Sequence, residues 1–560
     1  MSEKRRIKSV AVVGAGAAGA ISAAALKAEN YFERIWVFER RETPGGTWIY
    51  DSDPEPALEV HPGKLPPEVD PPLEIPKDLP QTTPPNQQER FSKTPIYNSL
   101  TTNVPDVAMC FSDRRFAYGP FPPHHVPKQY VESYFSAHRT DSLLSLNTTV
   151  EDVTKLRPDP EDVLGLERWK LTLRRYDPAR RVDVWWEEEF DAVILANGHY
   201  SVPYTPPVKG LEAYMRAYPG RVSHSKSYRS PLAFAGKRVL VVGNSASGHD
   251  LTAELAAPGS GVRLPVFQSR RSKSRWDGPH PPPGIVWKPV ISEFDPAVPS
   301  SSSDGDDGSS SRSGGGGGGS ILFADGTRLE DVDAVIYATG YKPSFPFWNA
   351  AENGNSDDDD DGSNVSATPL WDYHQDKLAG NYWHTFFRAH PTLGIVGIPR
   401  ALTFRSFEYQ AVALARVFSG RNAAALPSGE EQARWERERL EVTRREGRRF
   451  HDINWENGET AEWFEGLFRI AGLSTLKGEG RIPPPLTEEV VWAVEHLRKY
   501  PEPEPGKGKD GDGDGDKDKG RDKAGEETGT VVEVKSAQMN TQDDGWVLVS
   551  RRHKDLLGFL

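Results

Sequence analysis

Five hundred and sixty residues, 36% hydrophobic and 10% aromatic, suffice for several domains with sizeable cores and exclude a wholly disordered chain. The net charge of −13 sits almost entirely in three low-complexity stretches, 299–320, 351–361 and 501–530, which carry −2, −6 and −4; the near-neutral remainder offers neither a nucleic-acid footprint nor a field for acidic substrates. One cysteine, Cys110, excludes an internal disulfide framework, a cysteine-based zinc site and a two-cysteine redox centre, and points to a reducing compartment.

The basic Lys4-Arg5-Arg6 ahead of a small-residue apolar run imitates a secretory signal, yet the run itself has the pattern of a nucleotide cradle. A β-branched strand at 10–13 runs into Gly14-Ala15-Gly16-Ala17-Ala18-Gly19 and a helix over 15–28. The first glycine permits a tight turn, the second lets backbone approach a pyrophosphate, the third lets helix pack on strand, and the helix N-terminus supplies N–H donors. The next strand, 34–38, ends at Glu39, placed to accept from an adenosine ribose. The proline-rich stretch 54–95 reads as an extended loop rather than a domain. His124 and His125 lack a third ligand at recognisable spacing, so no metal site is expected, and Cys110 reads as a packed small residue.

A buried strand at 191–196 precedes a second unit: strand 238–242, the cradle Gly243-Asn244-Ser245-Ala246-Ser247-Gly248, a helix over 250–257 and a strand from 263. Where the first unit ends in a carboxylate, this one ends in Gln268, Ser269, Arg270 and Arg271. An amide, a hydroxyl and two guanidinium groups suit a 2′-phosphate, which favours NADPH over NADH. A glycine-rich insertion at 299–320 reads as flexible, and a buried strand at 333–338 comes after it. Then come an acidic loop at 351–364, a helix over 430–450 read as solvated and laced with ion pairs, and a largely disordered tail over 501–560. Alternating strands and alanine-rich helices indicate an α/β fold with parallel sheets.

Between the two cradles, Tyr218, Gly220, His224 and Tyr228 fit the pattern aromatic-x-Gly-x-x-x-His-x-x-x-aromatic. Three further pieces stand in order along the chain: Gly45-Gly46-Thr47-Trp48, Tyr97-Asn98-Ser99-Leu100-Thr101-Thr102-Asn103, and Tyr337-Ala338-Thr339-Gly340-Tyr341. On these residues the chain resembles the flavin-containing monooxygenases over most of its length outside the insertions. Tyr218 stands where the family usually has phenylalanine. Tyr228 is similar to the heteroatom-oxidising group rather than the Baeyer–Villiger group, which usually has tryptophan there.

The resemblance implies two Rossmann-like domains, the NADPH domain inserted in the FAD domain. The FAD domain would take 1–215 and, with C-terminal helices, 336–500; the NADPH domain would take 216–335. Gly14, Ala15, Gly16, Ala17, Ala18 and Gly19 would hold the FAD pyrophosphate, Glu39 and Arg40 the ribose end, and Gly46, Thr47 and Trp48 the flavin side. Thr102, Asn103 and Val104 would lie by the reactive edge of the isoalloxazine, with Asn103 the catalytic residue: a neutral amide donates there without a labile proton. Gly243, Ser245, Ser247, Gly248, His249 and Asp250 would meet NADPH, together with Ser269, Arg270 and Arg271. His224, in a connection between domains, is expected to be satisfied by backbone hydrogen bonds.

The activity so implied is oxygenation of a soft nitrogen or sulfur in a small amine, thiol or sulfide: NADPH reduces FAD, O2 adds to give a flavin hydroperoxide, and the substrate attacks its distal oxygen. Two readings stay open beside it, a Baeyer–Villiger monooxygenase acting on ketones and an uncoupled NADPH oxidase or redox-sensing protein. No run in the chain reaches the length of a membrane span, so the expected location is the cytoplasm, with room for peripheral attachment to the endoplasmic reticulum. An oligomer is compatible with the sequence.

Overall fold

The computed structural model describes residues 7–54, 58–86, 90–156, 167–274, 276–296, 319–354, 369–399, 401–473 and 479–500. Most of the predicted glycine-rich insertion, the acidic run 357–361 and the tail 501–560 lie outside the described residues.

The first strand, Ser9–Val13, lies inside a seven-stranded sheet. Val10, Ala11 and Val12 are inaccessible, as a strand covered on both faces requires. It pairs in parallel with Arg34–Phe38 on one side and Ala192–Leu195 on the other. Leu144–Ser145 extends the first edge in parallel; His390–Ile395 extends the second, and beyond it lie the short antiparallel strands Phe386–Phe387 and Asn381–Tyr382. Helix Ala17–Ala28 covers one face. Alanine is the strongest helix former and carries no bulk, so the helix is buried on nearly every side and shares a core with the long helix Phe404–Ser419.

A second sheet, of five parallel strands, takes the order Val222–His224, Ala334–Tyr337, Arg238–Val242, Arg263–Ser269, Ile285–Lys288. Helix Ala246–Ala256 makes its first crossover, starting four residues earlier than the pattern 250–257 suggests because the turn before it is so tight. All five strands fall between two strands of the first sheet, Ala192–Leu195 and His390–Ile395, so one α/β unit is inserted in the other. The outgoing and returning connections pair with each other as a two-stranded antiparallel ribbon, Val202–Pro203 with Tyr341–Lys342.

A four-stranded antiparallel sheet lies beyond the predicted elements: Gln81–Thr83, Val182–Phe190, Arg168–Asp177 and Thr148–Leu156 in spatial order. Its Gln81–Thr83 edge belongs to the proline-rich stretch, whose other described residues are irregular apart from one helical turn, Pro66–Val69. The predicted charged helix runs Gly429–Arg445, and its strongest ion pairs reach outward rather than along the helix: Glu436 to Lys377 and Arg388, and Arg439 to Glu459. No described helix is long and apolar enough to cross a membrane.

Candidate active site

The turn after Ser9–Val13 brings Gly14 (φ +105°) so close to the strand Ala192–Leu195 that a Cβ there would stand 2.6 Å from the Ala196 carbonyl oxygen. Gly16 and Gly46 face each other, and a Cβ on Gly46 would sit 2.8 Å from the Gly16 Cα. Backbone is therefore bare on both sides of the helix N-terminus at Ala17, which has no side-chain cap and no acidic residue in its own first turn. Glu39 is buried and held from behind: Oε2 accepts from the Ala15 N–H at 2.8 Å and Oε1 from the Arg41 N–H at 2.9 Å. A carboxylate so fixed keeps lone pairs for a diol. These groups line one cleft of about 280 Å³, which Trp48, Phe404 and Phe407 also line.

The second cradle repeats the device. Gly243 has φ +116°, and a Cβ on it would be 2.5 Å from the Ala338 carbonyl oxygen. Ser245, exposed, stands at the N-cap of helix Ala246–Ala256 without a side-chain capping hydrogen bond, so the first-turn N–H donors carry no side-chain cap. Two of the four groups read as suiting a 2′-phosphate are engaged elsewhere. Gln268 Nε2 donates to the carbonyls of Gly243 and Gly248, each at 3.2 Å, and Ser269 Oγ donates to the Pro289 carbonyl at 2.8 Å; the two side chains point to opposite faces of the strand, and both faces are buried at this end. Arg270 stacks on Trp287 at 3.5 Å and donates to buried Asp277 at 2.7 Å, while Arg271 is exposed. Asn244 donates to the same Asp277 at 3.0 Å, so one carboxylate ties the cradle turn to the strand end.

A junction joins the two cradles. His224 is buried: its Nδ1 accepts from the Lys226 N–H at 3.1 Å, which leaves the ring proton on Nε2 to donate to the Gly340 carbonyl at 3.1 Å. Burial pushes its pKa down to about 3. Tyr218 accepts through its hydroxyl from the Gly319 N–H at 2.6 Å, Gly220 has φ +77°, and Tyr228 donates to Glu254 at 2.9 Å. The 97–104 segment spans the same gap: Tyr97 donates to Asp250, Ser99 to Glu254 at 3.0 Å, and the Thr102 N–H to the Pro122 carbonyl at 2.9 Å. Asn103 is half-buried on this segment.

Three models of known protein families match the chain. A model of the flavin-binding monooxygenase-like family matches residues 85–274, one of NAD(P)-binding Rossmann-like domains matches 12–67, and one of pyridine nucleotide-disulphide oxidoreductases matches 189–368. With one cysteine, what the chain shares with that last group is the nucleotide-binding fold and not an internal disulfide. The flavin-containing monooxygenase FMO GS-OX-like 9 of Arabidopsis thaliana is 30% identical over 436 residues, 76% of this chain and 79% of that protein. The chain belongs to the flavin-containing monooxygenases. The flavin-containing monooxygenase iboF of Amanita muscaria is 28% identical over 459 residues, 75% of this chain and 80% of that one. Among solved structures, S-allyl-L-cysteine S-oxygenase from Allium sativum is similar with a TM-score of 0.61 and 25% identity, covering 87% of this chain and 91% of that one.

As a flavin-containing monooxygenase the protein uses FAD and NADPH. The residues fit both: bare backbone at two helix N-termini for two pyrophosphates, and a fixed carboxylate in the first cradle only. Of the residues named from sequence for FAD, Gly14, Gly16, Ala17, Ala18, Glu39, Arg40, Gly46, Thr47 and Trp48 line the first cleft. Ala15 acts behind it through Glu39, and Gly19 packs against Gly14. Thr102, Asn103 and Val104 are not among its lining residues and sit on the junction segment. Sequence reasoning missed Asp277, and it missed Arg229, whose buried guanidinium donates to the carbonyls of Asp51, Thr94, Lys226 and Tyr228. Both are single charged residues in loops, with no pattern to mark them.

Proposed function

We propose that this flavin-containing monooxygenase oxygenates a soft nitrogen or sulfur of a small molecule, with Asn103 as the donor beside the flavin. The observation that carries the substrate class is the likeness, over most of both chains, to an enzyme named as an S-oxygenase. Tyr228 in the last place of the inter-cradle motif agrees with it. When bound and reduced by NADPH, FAD supplies the oxygen-activating chemistry. The protein's own part is containment. Trp48, Phe404 and Phe407 make an apolar wall at the first cleft, and Phe111, Phe116 and Tyr130 pack behind Phe404. Asn103 would offer an uncharged N–H donor from a segment that Tyr97 and Ser99 anchor to the second cradle, so the donor is held by the NADPH domain as well as by its own. The NADPH pyrophosphate would lie at the helix N-terminus by Ser245 and Ser247, with Arg270 and Arg271 at the 2′-phosphate end.

The test is rapid mixing of the flavin-loaded enzyme with NADPH and then with oxygenated buffer, hydrogen peroxide being assayed alongside product. A tertiary amine or sulfide should be oxygenated with little peroxide released, and Asn103→Leu should leave FAD bound and reduction by NADPH intact while output shifts from product to hydrogen peroxide. Unchanged coupling in that variant removes Asn103 from the role. Stoichiometric peroxide from the unsubstituted enzyme, with substrate present, removes the monooxygenase reading in favour of an oxidase.

A further inference from the structure

The proline-rich stretch, read from sequence as an extended loop, supplies part of the wall of the first cleft. Asp70 lines that cleft and is 8% exposed. Its Oδ2 accepts from Ser344 Oγ at 2.7 Å, whereas Oδ1 has no hydrogen-bond donor among the described residues. A buried carboxylate oxygen left without a donor is costly, and an ionised carboxylate can only accept. Whatever it faces must therefore present N–H or O–H, which a pyrophosphate does not.

Its neighbours fix the end of the cleft it occupies. Arg90 donates to the Pro71 carbonyl at 3.3 Å and to Glu151 at 2.7 Å, and Arg40 donates to the Arg90 carbonyl at 3.0 Å. Arg40 comes directly after Glu39, whose carbonyl accepts the Thr148 N–H at 2.8 Å, and Thr148, Thr149 and Val150 line the cleft beside it. On the other flank, Asn197 donates to the Ser344 carbonyl at 3.2 Å, one residue beyond the Ala196 carbonyl that Gly14 abuts. Asp70 is thus built into the end marked by Glu39.

We propose that Asp70 accepts a hydrogen bond from the adenosine half of FAD, from the 6-amino group or a ribose hydroxyl. The proline-rich stretch then selects the dinucleotide over the mononucleotide. This rests on FAD's adenosine lying at the Glu39 end, and the experiment separates the two claims. Apoprotein is titrated with FAD and with FMN, which lacks adenosine, following quenching of flavin fluorescence. Asp70→Ala should weaken FAD roughly ten- to a hundredfold, the range of a charge-assisted hydrogen bond, and leave FMN affinity unchanged. Asp70→Asn, which keeps an oxygen for Ser344 Oγ and turns an NH2 group toward the ligand, should do the same in an apoprotein of unaltered thermal midpoint. With FAD carrying hypoxanthine in place of adenine, the loss in Asp70→Ala disappears if the donor is the amino group and persists if it is a ribose hydroxyl. Equal losses for FAD and FMN, or none for either, overturn the inference. Glu39→Ala is the control on placement: if it loses the preference for FAD while Asp70→Ala keeps it, Asp70 alone is excluded, and if it too keeps the preference, the placement of adenosine fails and the inference with it.

Discussion

Gly19 and Gly248 hold equivalent places, five residues after the turn glycine of each cradle. A Cβ on Gly19 would lie 1.9 Å from the Gly14 carbonyl oxygen, and one on Gly248 would lie 2.3 Å from that of Gly243. Neither obstacle is a side chain that can swing aside, so alanine must lift the helix from its strand and move the donors that face the pyrophosphate. Overpacking of this kind costs about 1–3 kcal/mol, which is about 5- to 150-fold in affinity where it falls on binding. The two variants should therefore separate: Gly248→Ala raises the KM for NADPH with FAD content unchanged, and Gly19→Ala loses FAD on gel filtration. Flavin absorbance per chain and NADPH kinetics check both. These glycines were legible because the spacing is itself the mechanism. Gln268 shows where that legibility stops. Its type and position suggested a 2′-phosphate ligand, but its amide holds two cradle carbonyls, and nothing in a linear pattern says which way a strand-end side chain turns.

At the scale of elements, what was legible is what repeats locally. Arg34–Phe38 and Arg238–Val242 match the predicted strands residue for residue, since buried parallel strands are continuous apolar runs. The antiparallel strands Arg168–Asp177 and Val182–Phe190 carry as many charges as apolar groups and gave no such signal. Long-range fastenings gave none either. Lys499 and Tyr500, at the end of the described chain, reach back to the second cradle: Lys499 Nζ donates to Asp250 at 3.0 Å and to the Thr101 carbonyl at 3.2 Å, Tyr500 donates to Asp250, and the Tyr500 ring packs on His249 at 4.5 Å. Asp250, expected from sequence to meet NADPH, is thus also the knot between the cradle helix, the Asn103 segment and this terminal strap. Its ion pair with Lys499 is mostly shielded from solvent. Lys499→Met should lower the local opening free energy of helix Ala246–Ala256 by about 1–3 kcal/mol, read by hydrogen exchange, with the helix Ala17–Ala28 unaffected. Equal exchange in both chains would mean that the strap rests on the cradle without holding it.

For the whole molecule the question is how two α/β units keep a fixed relation when only two connections join them. Those connections pair as the Val202–Pro203 and Tyr341–Lys342 ribbon, and His224 fastens the return to the second sheet through the Gly340 carbonyl, while Lys226 Nζ reaches the Ser201 carbonyl on the outgoing side at 2.8 Å. Only the neutral imidazole can accept at Nδ1 and donate at Nε2 at once. Burial sets the same condition by lowering the pKa from 6.5 to about 3. Between those values the unfolded chain binds a proton that the folded chain refuses, so the stability this residue contributes is complete above about pH 6.5 and is lost progressively as pH falls toward 3. His224→Gln removes the titration. The expected result is a variant less stable than the parent at pH 7, whose denaturant midpoint falls less steeply than the parent's between pH 6.5 and pH 4. Because the histidine fastens the junction and touches neither cradle turn, reduction of bound FAD by NADPH should slow in the parent over that acid range before FAD itself is released. Parallel slopes for the two chains would show that the relation between the domains does not rest on His224, and Arg229 with its four carbonyls would be the next fastening to test.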